Sequence, residues 1–378
     1  MNVEDKVRIL IVDDTITYRK IVGDVLAELR GVEVVGTAAN GRIALQKIEQ
    51  LRPDLLTLDL EMPDMDGLEV LRHLNEAGGK VQAIVLSGAT AYGADLTVAA
   101  LKQGAFDFVA KPSSDSLEKN SAFLRQELGQ KIQAFARSKH IRTILHGAGL
   151  APPHTSTQPV ARRPVATEHS VGVRRGLEFR ICRPEAVVLG ISTGGPASLT
   201  QMLPRLPADL GVPVLIVQHM PPVFTKSLAD DLDRRCALRV YEACDGQLVR
   251  PGEILIAPGG KQMKVEMKDG HIAVAITNDP PENSCRPSVD YLFRSVSKVY
   301  GRNAIGVIMT GMGNDGTKGC REMKQQGAAI MAQDEPTCVV FGMPKGPIDE
   351  GIADVIAPLN DIASQIVRLV GKGVGACV

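Results

Sequence analysis

Apolar runs of strand length alternate with amphipathic stretches from residue 7 onward. The strand-like runs are VRILIV, VEVVGTA, DLLTLDL, VQAIVLS and FDFVAK, and the helix-like stretches between them are TYRKIVGDVLAELR, GRIALQKIEQLR, DGLEVLRHLN and ADLTVAALKQG. A last helical stretch begins at Leu117. Five successive strand–helix units predict a parallel sheet that is covered by helices on both faces.

The alternation then stops and resumes near residue 185. From about Gly147 to Arg180 the chain is rich in Pro, Ser, Thr and Arg, which is typical of a linker, although the arginines also suit a binding patch. A second α/β series follows, with the runs AVVLGIS, PVLIVQH, EILIAP, IAVAIT, AIGVIMTG and AAIMAQ. We predict one domain over residues 1–130, a helix end and linker over 131–183, and a second domain over 184–378.

Composition narrows the class of protein without naming a partner. A chain of 378 residues, 44% of them apolar, is long enough for two or three domains that each bury a core. The 43 basic and 43 acidic side chains balance, so no overall field favours nucleic acid or an anionic membrane. Seven cysteines without C-x-x-C spacing fit reduced thiols, and the N-terminus resembles neither a signal peptide nor an anchor. We expect a cytoplasmic protein with no nucleic-acid partner and no membrane insertion.

Polar side chains follow the predicted strands of the first domain at the points where the strands end. They are Asp13, Asp14, Asp59, Ser87 and Lys111. Open α/β sheets bind their ligands at this edge of the sheet. Three carboxylates suit Mg²⁺, and a lysine with a hydroxyl would hold a phosphoryl group. Each residue alone is equally explained as a cap of the next helix, but the five in this order favour a phosphoryl site.

This constellation resembles the receiver domain of two-component response regulators across about residues 6 to 125, including the stretch LDLEMPDMDG and the KP pair after the fifth strand. The resemblance implies a flavodoxin-like fold in which a histidine kinase phosphorylates Asp59. The Lys111–Pro112 peptide bond is a candidate for the cis form. The resemblance also implies Asp13, Asp14 and Asp59 as partners of Mg²⁺, Ser87 and Lys111 as phosphoryl contacts, and Phe108 as the aromatic switch residue.

The second domain shows the pattern of an enzyme, because it lacks the basic recognition helix that a DNA-binding output would need. Residues 190–194, GISTG, satisfy G-x-S-x-G between a strand and a predicted helix. Ser192 is explained either as a nucleophile or as part of a helix cap or phosphate cradle. His219 ends the next strand and Asp315 follows AIGVIMTG, so both are expected near Ser192 as its base and the orienting acid.

The order of these residues argues against one common fold. In α/β-hydrolases the acid precedes the histidine, whereas here His219 precedes Asp315. We therefore expect a doubly wound parallel sheet that is not a standard α/β-hydrolase.

The stretch MTGMGNDGTKG allows a second interpretation. Gly311, Gly313 and Gly316 form a G-x-G-x-x-G, and Asp334 and Glu335 lie where a ribose-binding acid would be expected. A pyrophosphate in this turn would meet the carboxylate of Asp315, and like charges near 4 Å cost ~4 kcal/mol at an effective dielectric constant of 20. A histidine partner suits a fixed anion better than a dinucleotide does.

A receiver, a linker and the motifs GISTGGP, QHM, CRPSVDYLF and MTGMGNDGTKG resemble the protein-glutamate methylesterase family of chemotaxis response regulators over nearly the whole chain. The resemblance implies phosphorylation-activated hydrolysis of glutamate γ-methyl esters on methylated chemoreceptors, which releases methanol, and a related deamidation of receptor glutamine. It implies Ser192 as nucleophile, His219 as general base and Asp315 as its orienter. It implies Mg²⁺ for receiver phosphorylation and no cofactor for the esterase reaction.

Four further residues are expected at this site. The backbone N–H groups of Thr193 and Met312 are candidate donors to the tetrahedral oxyanion, and Arg286 and Ser288 are expected to line the site without an assigned role. Two other classes of function stay open here. A regulator that acts by binding alone would not need Ser192, and a dinucleotide enzyme would bind its cofactor in the second domain.

Overall fold

The structure, a computed structural model, describes residues 6–147 and 183–372 apart from 113 and 115. The described chain forms two α/β domains, each built on a parallel sheet, which confirms the predicted fold class. Beyond Gly147, the predicted linker up to Arg180 lies outside the described residues. No helix among the described residues is long and apolar enough to cross a bilayer.

The N-terminal domain contains the five predicted strand–helix units. Their bounds are β1 (Val7–Val12), α1 (Ile16–Ala27), β2 (Val32–Ala38), α2 (Gly41–Leu51), β3 (Leu55–Asp59), α3 (Gly67–Glu76), β4 (Gln82–Ser87), α4 (Ala91–Lys102), β5 (Asp107–Ala110) and α5 (Leu117–Gly147). The strands pair in parallel in the order β2-β1-β3-β4-β5, the flavodoxin-like order. Its topological switch point lies between β1 and β3, so residues that follow these two strands share one crevice.

The C-terminal domain holds a larger sheet. Its elements are β6 (Ala186–Ile191), α6 (Gly195–Met202), β7 (Val214–Gln218), α7 (Phe224–Asp233), β8 (Arg239–Glu242), β9 (Glu253–Ile256), β10 (Gln262–Lys268), β11 (His271–Thr277), α8 (Val289–Tyr300), β12 (Ala304–Ile308), α9 (Thr317–Gln325), β13 (Ala329–Gln333), α10 (Lys345–Asp349), β14 (Val355–Ala357) and α11 (Leu359–Lys372). Seven strands pair in parallel in the order β14-β13-β12-β6-β7-β9-β8. The chain reverses its direction of winding between β6 and β12, which makes that crevice the expected ligand site.

One predicted strand of the second series lies outside this sheet. The run IAVAIT belongs to β11, which pairs antiparallel with β10 in a separate two-stranded hairpin. The alternating burial of β10 fits this placement, because a hairpin with one face on the core exposes every second side chain. The strands β8, β10 and β14 were absent from the sequence prediction.

Alternate residues of β6 explain why helices cover both faces of the larger sheet. Val187, Leu189 and Ile191 belong to one apolar cluster with side chains of α6, α7 and α11. Ala186 and Val188 belong to a second cluster with side chains of α8 and α9. All five are fully buried, and burying a side chain of valine or leucine size contributes roughly 1.5–3 kcal/mol. Both faces therefore anchor the strand that directly precedes Ser192.

The two domains contact each other through one face of the receiver. Helix α4 packs against α6 and α7. The ring of Phe108 on β5 lies 4.6 Å, centroid to centroid, from that of Phe224 on α7. Lys102 forms an ion pair with Asp231 at 3.0 Å. The residue predicted as the aromatic switch is thus buried against the second domain.

Candidate active site

Ser192 lies directly after β6 in a tight turn into α6. Its backbone N–H donates to the carbonyl of Thr310 at 3.0 Å, and its own carbonyl accepts from Gln218 Nε2 at 3.0 Å. Gly194 caps α6 with φ +78°, a conformation that favours glycine. A Cβ on Gly311 would lie 2.7 Å from Ser192 Cβ, so only glycine lets the 311 loop approach the serine this closely.

His219 and Asp315 form a hydrogen-bonded pair beside this turn. The N–H of His219 donates to Ile191 O at 3.1 Å, which ties the end of β7 to the end of β6. His219 Nε2 lies 2.8 Å from Asp315 Oδ2, and the side chains are only 13% and 3% exposed. The three residues predicted for one sheet edge follow β6, β7 and β12, the three strands around the switch point.

Asp315 is held by five donors. Besides His219, they are Asn283 Nδ2, Ser288 Oγ and the backbone N–H groups of Val289 and Asp290, at 2.7–3.1 Å. Three of these donors belong to the first turn of α8 and to its N-cap, Ser288, where the helix dipole favours an anion. Ser288 therefore contacts the carboxylate and not the open site.

The charges of the pair shift both pKa values. Burial disfavours the charged form of Asp315, but the hydrogen bond and charge of His219 outweigh it, followed by the Val289 N–H and Asn283, and hold its pKa below the ordinary value. Burial likewise lowers the pKa of His219, but the hydrogen bond to Asp315 leads the opposing interactions and raises it above the ordinary value. Asp315 is fixed as an anion that stabilises an imidazolium.

The other ring nitrogen of His219 faces a cysteine. Nδ1 lies 3.7 Å from Cys285 Sγ. Among the described residues, the hydroxyl of Ser192 makes no hydrogen bond to the His219 ring. Because a carboxylate only accepts, Asp315 selects the neutral tautomer with the proton on Nε2 and leaves the Nδ1 lone pair as the base. Catalytic hydrogen bonds of this kind commonly tighten only when substrate binds.

The two predicted oxyanion donors follow Ser192 and Gly311, which lie close together. In the described part of the chain, the backbone N–H groups of Thr193 and Met312 have no hydrogen-bond acceptor. The Thr193 hydroxyl, however, donates to Asp107 Oδ2 of the receiver at 2.6 Å, and both side chains are buried. Asp107 also forms an ion pair with Lys131 of α5 at 3.1 Å. A receiver side chain thus contacts the residue next to the serine.

The glycine-rich loop is shaped around Asp315 and offers no cradle for a pyrophosphate. Gly313 and Gly316 adopt φ values of +85° and +96°, and Asp315 between them turns toward His219 and the start of α8. Asp334 accepts hydrogen bonds from the backbone N–H and the hydroxyl of Thr337. This geometry favours the histidine partner over the dinucleotide interpretation. Arg286, in turn, is exposed, and its carbonyl accepts from Gly260 N at 3.0 Å.

The receiver site forms at the carboxyl edge of the smaller sheet. Carboxylate oxygens of Asp13, Asp14 and Asp59 lie within 4.8 Å of one another. Lys111 Nζ lies 2.6 Å from Asp59 Oδ2 and 3.1 Å from Asp13 Oδ2. One lysine leaves three carboxylates with an excess of negative charge, and carboxylate oxygens are the ligands that Mg²⁺ prefers. The donor set therefore fits this cation.

Burial and polar partners tune the receiver site differently from the serine site. Burial raises the pKa of Asp59 above its ordinary value, although Lys111 opposes this. The Ser87 hydroxyl donates to the carbonyl of Gly93 at 3.0 Å, so it must rotate to contact a phosphoryl group. The expectation of a cis bond before Pro112 is wrong, because the cis bond among the described residues is Arg286–Pro287.

Family comparisons agree with this two-site architecture. Residues 187–366 match the CheB methylesterase model, and residues 9–120 match the response regulator receiver domain model. The protein-glutamate methylesterase/protein-glutamine glutaminase of Desulfotalea psychrophila is 48% identical over 96% of this chain and 98% of its own length. The chain belongs to this family. The protein of the same name from Trichodesmium erythraeum is 42% identical over 97% of this chain and 99% of its own length.

A solved structure is also similar to part of this family member. The crystal structure of the Thermotoga maritima CheB methylesterase catalytic domain has 44% sequence identity and a TM-score of 0.49, and the match covers 50% of this chain and 99% of that one.

Several residues of the site were missed by sequence reasoning in this methylesterase-family chain. Asn283 and Cys285 come from a turn between β11 and α8, where Asn283 and Ser284 have positive φ values of +53° and +63°. Asp107 comes from the other domain. Gln218 and Cys285 had a local signal, because they lie inside QHM and CRPSVDYLF, two motifs that were already singled out.

Proposed function

We propose that this protein hydrolyses γ-methyl esters of glutamate side chains on chemoreceptors and deamidates receptor glutamine. The observation that carries the proposal is the His219–Asp315 pair beside Ser192 in a chain 48% identical, over 96% of its length, to a protein of that name. Methylated glutamates on the cytoplasmic helices of receptors are the expected substrate, so we place the protein in the cytoplasm.

In the proposed reaction Ser192 Oγ attacks the ester carbonyl carbon while its proton passes to His219 Nδ1. The N–H groups of Thr193 and Met312 stabilise the oxyanion. Collapse of the tetrahedral intermediate breaks the bond between the carbonyl carbon and the methoxy oxygen. The methoxy group takes the proton from His219 and leaves as methanol. Water then attacks the acyl-serine carbonyl while His219 accepts its proton. The bond to Ser192 Oγ breaks, Oγ takes the proton from His219, and glutamate is released. With glutamine the same steps release ammonia.

Asp315 acts in these steps through His219. Its five donors keep it ionised and immobile, so it holds the imidazole in one tautomer and stabilises the imidazolium. No cofactor is needed for this acyl transfer, because serine, histidine and backbone donors supply the nucleophile, the base and the oxyanion site.

We assign the receiver to control of this reaction. A histidine kinase would transfer a phosphoryl group to Asp59, with Asp13, Asp14 and Asp59 holding Mg²⁺, which neutralises phosphoryl charge when bound. Lys111 would contact the phosphoryl oxygens, and Ser87 would rotate away from Gly93 toward them. Ser87 and Phe108 lie on the paired strands β4 and β5, so we expect rotation of Ser87 to alter the packing of the Phe108 ring.

We further propose that the unphosphorylated receiver inhibits the esterase. Three contacts support this: the hydrogen bond from Thr193 to Asp107, the Phe108–Phe224 ring contact and the ion pair of Lys102 with Asp231. Thr193 adjoins the nucleophile, so a domain docked on it restricts entry of a receptor helix. Phosphorylation needs to weaken this docking by only ~1–3 kcal/mol to raise activity several-fold or more.

Methanol release from membranes that carry methylated receptors tests the function. The full chain should release methanol in proportion to enzyme, and Ser192→Ala should reduce the rate to background. Release that persists in the variant would contradict the serine mechanism.

A fragment of residues 183–378 should release methanol faster than the unphosphorylated whole protein. A folded but slower fragment would mean that the receiver activates through contacts and does not inhibit.

A further inference from the structure

Cys285 lies beside the ring nitrogen of His219 that the histidine–aspartate pair leaves free. Its Sγ is 3.7 Å from His219 Nδ1, and the side chain is half-buried. The proposed ester hydrolysis gives this thiol no task. Together, Asp315, His219 and Cys285 bring a carboxylate oxygen, an imidazole nitrogen and a sulfur within 4.8 Å of one another.

The sulfur and nitrogen have the separation of two ligands on one zinc ion. Zn–S and Zn–N bonds of about 2.3 and 2.0 Å at a tetrahedral angle put the two ligand atoms about 3.5 Å apart. The observed 3.7 Å between Cys285 Sγ and His219 Nδ1 needs almost no movement. In the neutral imidazole with its proton on Nε2 toward Asp315, the Nδ1 lone pair is the one open to a metal ion.

Asp315 supplies the hydrogen-bond acceptor that a metal-binding histidine ordinarily has at its second ring nitrogen. Histidine ligands usually donate their second N–H to a carboxylate, which fixes the ring and makes the ligand nitrogen more basic. Here the Nε2–Asp315 distance is 2.8 Å, and the carboxylate is itself held by α8. The geometry is that of a carboxylate–histidine–metal series.

The loop that carries Cys285 is also fixed before any ligand binds. Cys285 N donates to Glu282 O at 2.8 Å, and Glu282 N donates to Cys285 O at 3.1 Å. Gln262 Nε2 contacts the same Cys285 carbonyl at 3.3 Å. The thiol is therefore held near His219 by backbone bonds, so binding a cation would cost little ordering.

We propose that Cys285 Sγ and His219 Nδ1 form a binding site for a thiophilic divalent cation, with Zn²⁺ as the expected ion, and that its occupation switches the esterase off. The inhibition rests on the proposed function, because the cation would cover the lone pair that serves as the general base. Binding transfers the thiol proton to solvent and involves no change of oxidation state, and water would complete the coordination.

The two ionic sites of the molecule should then select different cations. Asp13, Asp14 and Asp59 offer oxygen ligands alone, which suit Mg²⁺, whereas sulfur with imidazole favours Zn²⁺ or Cd²⁺. Excess Mg²⁺ in every assay would saturate the receiver carboxylates without competing for the thiol.

Cadmium titration of the full-length protein in excess Mg²⁺ tests the site directly. We expect a thiolate-to-metal absorption band, and competition with a chromophoric chelator should give the Zn²⁺ affinity. Cys285→Ser should abolish the band and weaken the affinity for Zn²⁺ by at least about tenfold. Loss of a residue that only orients a metal ligand already costs about 10–100-fold in affinity, so loss of the ligand itself should cost at least the lower of these. Cys244→Ser is the matched control, because Cys244 is an exposed cysteine that should not affect either readout.

A second experiment measures inhibition of methanol release by Zn²⁺, with the rate of each variant in the absence of Zn²⁺ as its reference. Zn²⁺ should stop methanol release by the wild type and by Cys244→Ser, EDTA should restore it, and Cys285→Ser should need at least about tenfold more Zn²⁺. Cys285→Ala with an unchanged melting temperature checks that a folded protein is compared. No band in the wild type, or equal Zn²⁺ affinity in Cys285→Ser, would overturn the site. Binding without methanol release in any sample would instead contradict the proposed function.

Discussion

Asp59 and Asp315 occupy equivalent places in the two domains, beside the topological switch point of a parallel sheet, yet their surroundings differ. Asp59 accepts from Lys111 and from the N–H of Glu61, and burial raises its pKa. Asp315 accepts from five donors, and its pKa is lowered. In the proposed reactions the sparsely bonded acid uses its remaining lone pairs to attack phosphorus, whereas the fully bonded acid orients its neighbour.

The comparison shows that position in the fold locates a site without defining its chemistry. Both carboxylates are buried, and each contacts a basic group, Lys111 or the imidazole of His219. The number of neutral donors separates them, because each N–H or O–H aimed at a carboxylate stabilises its charge and uses up a lone pair. Substitutions at the two sites should therefore have effects of different kinds.

The largest effect is expected for the nucleophile itself. Ser192→Ala should reduce methanol release at least ~10³-fold, because removing the nucleophile of a serine triad leaves only oxyanion and binding contributions. Ser198→Ala is the control, since its hydroxyl only donates to Gly194 O within the same helix, at 2.8 Å. Equal losses in the two variants would indicate damage to the helix and not loss of a nucleophile.

Removing the receiver acid should abolish a different readout. Asp59→Asn should eliminate phosphoryl incorporation from a small phosphodonor with Mg²⁺, measured by intact-protein mass, because the attacking oxygen is replaced. Asp64→Asn is matched, as an exposed acid of the same loop that lies outside the carboxylate cluster. Undiminished labelling of Asp59→Asn would refute the assignment of the phosphoacceptor.

Neutralising the orienting acid should slow catalysis and spare binding. Asp315→Asn should lower kcat between ~10-fold and ~10⁴-fold with little change in KM, because the imidazolium loses its charge partner. Combined with Ser192→Ala it should add almost nothing, since triad members act as a unit. Unchanged hydrolysis together with saturable NADH binding to the same sample would restore the dinucleotide interpretation.

Breaking the contact between the domains should produce a gain. Asp107→Ala removes the hydrogen-bond partner of Thr193, so the unphosphorylated protein should hydrolyse ester about 5-fold faster or more. Glu127→Ala is the control, because Glu127 contacts the same Lys131, at 4.0 Å, without reaching Thr193. A rate equal to that of the control would show that this contact does not inhibit.

The smallest effect is a shift of the pH profile. His219 must be neutral to accept a proton, and Asp315 raises its pKa above 6.5, so kcat/KM should rise with pH through a value above 6.5. Asp315→Asn removes the charge that favours the imidazolium, so the rising limb should move to lower pH. We would measure both profiles on phosphorylated protein. A limb that moves to higher pH in the variant would contradict the stated pair.

Much of the fold and of the candidate site follows from local patterns in the sequence. The five receiver units and the ends of β6, β7 and β12 were predictable, because strands buried on both faces are continuous apolar runs and the polar residue after each run faces the sheet edge. The strands β10 and β14 were not, because the apolar positions of β10 alternate with charge and β14 has only three residues. The run IAVAIT of β11 was predicted as a strand, but its pairing with β10 in a hairpin was not.

The partners of the site residues were the least predictable part. Ser288 was expected to line the site, but its contact with Asp315 requires that α8 begin beside β12. Cys285 reaches His219 through a turn with two positive φ values, and no spacing in the sequence predicts that approach. The bond from Asp107 to Thr193 depends on how two domains dock, which neither domain's pattern contains.

The most direct test of the central claim is the rate of methanol release by one preparation of the full chain before and after addition of a phosphodonor. We predict a several-fold increase that requires Mg²⁺ and is absent in Asp59→Asn. The increase should be largely lost in Asp107→Ala, because that variant is already active. An unchanged rate despite complete phosphorylation of Asp59 would contradict the claim that Asp59 controls the ester hydrolysis in which Asp315 takes part.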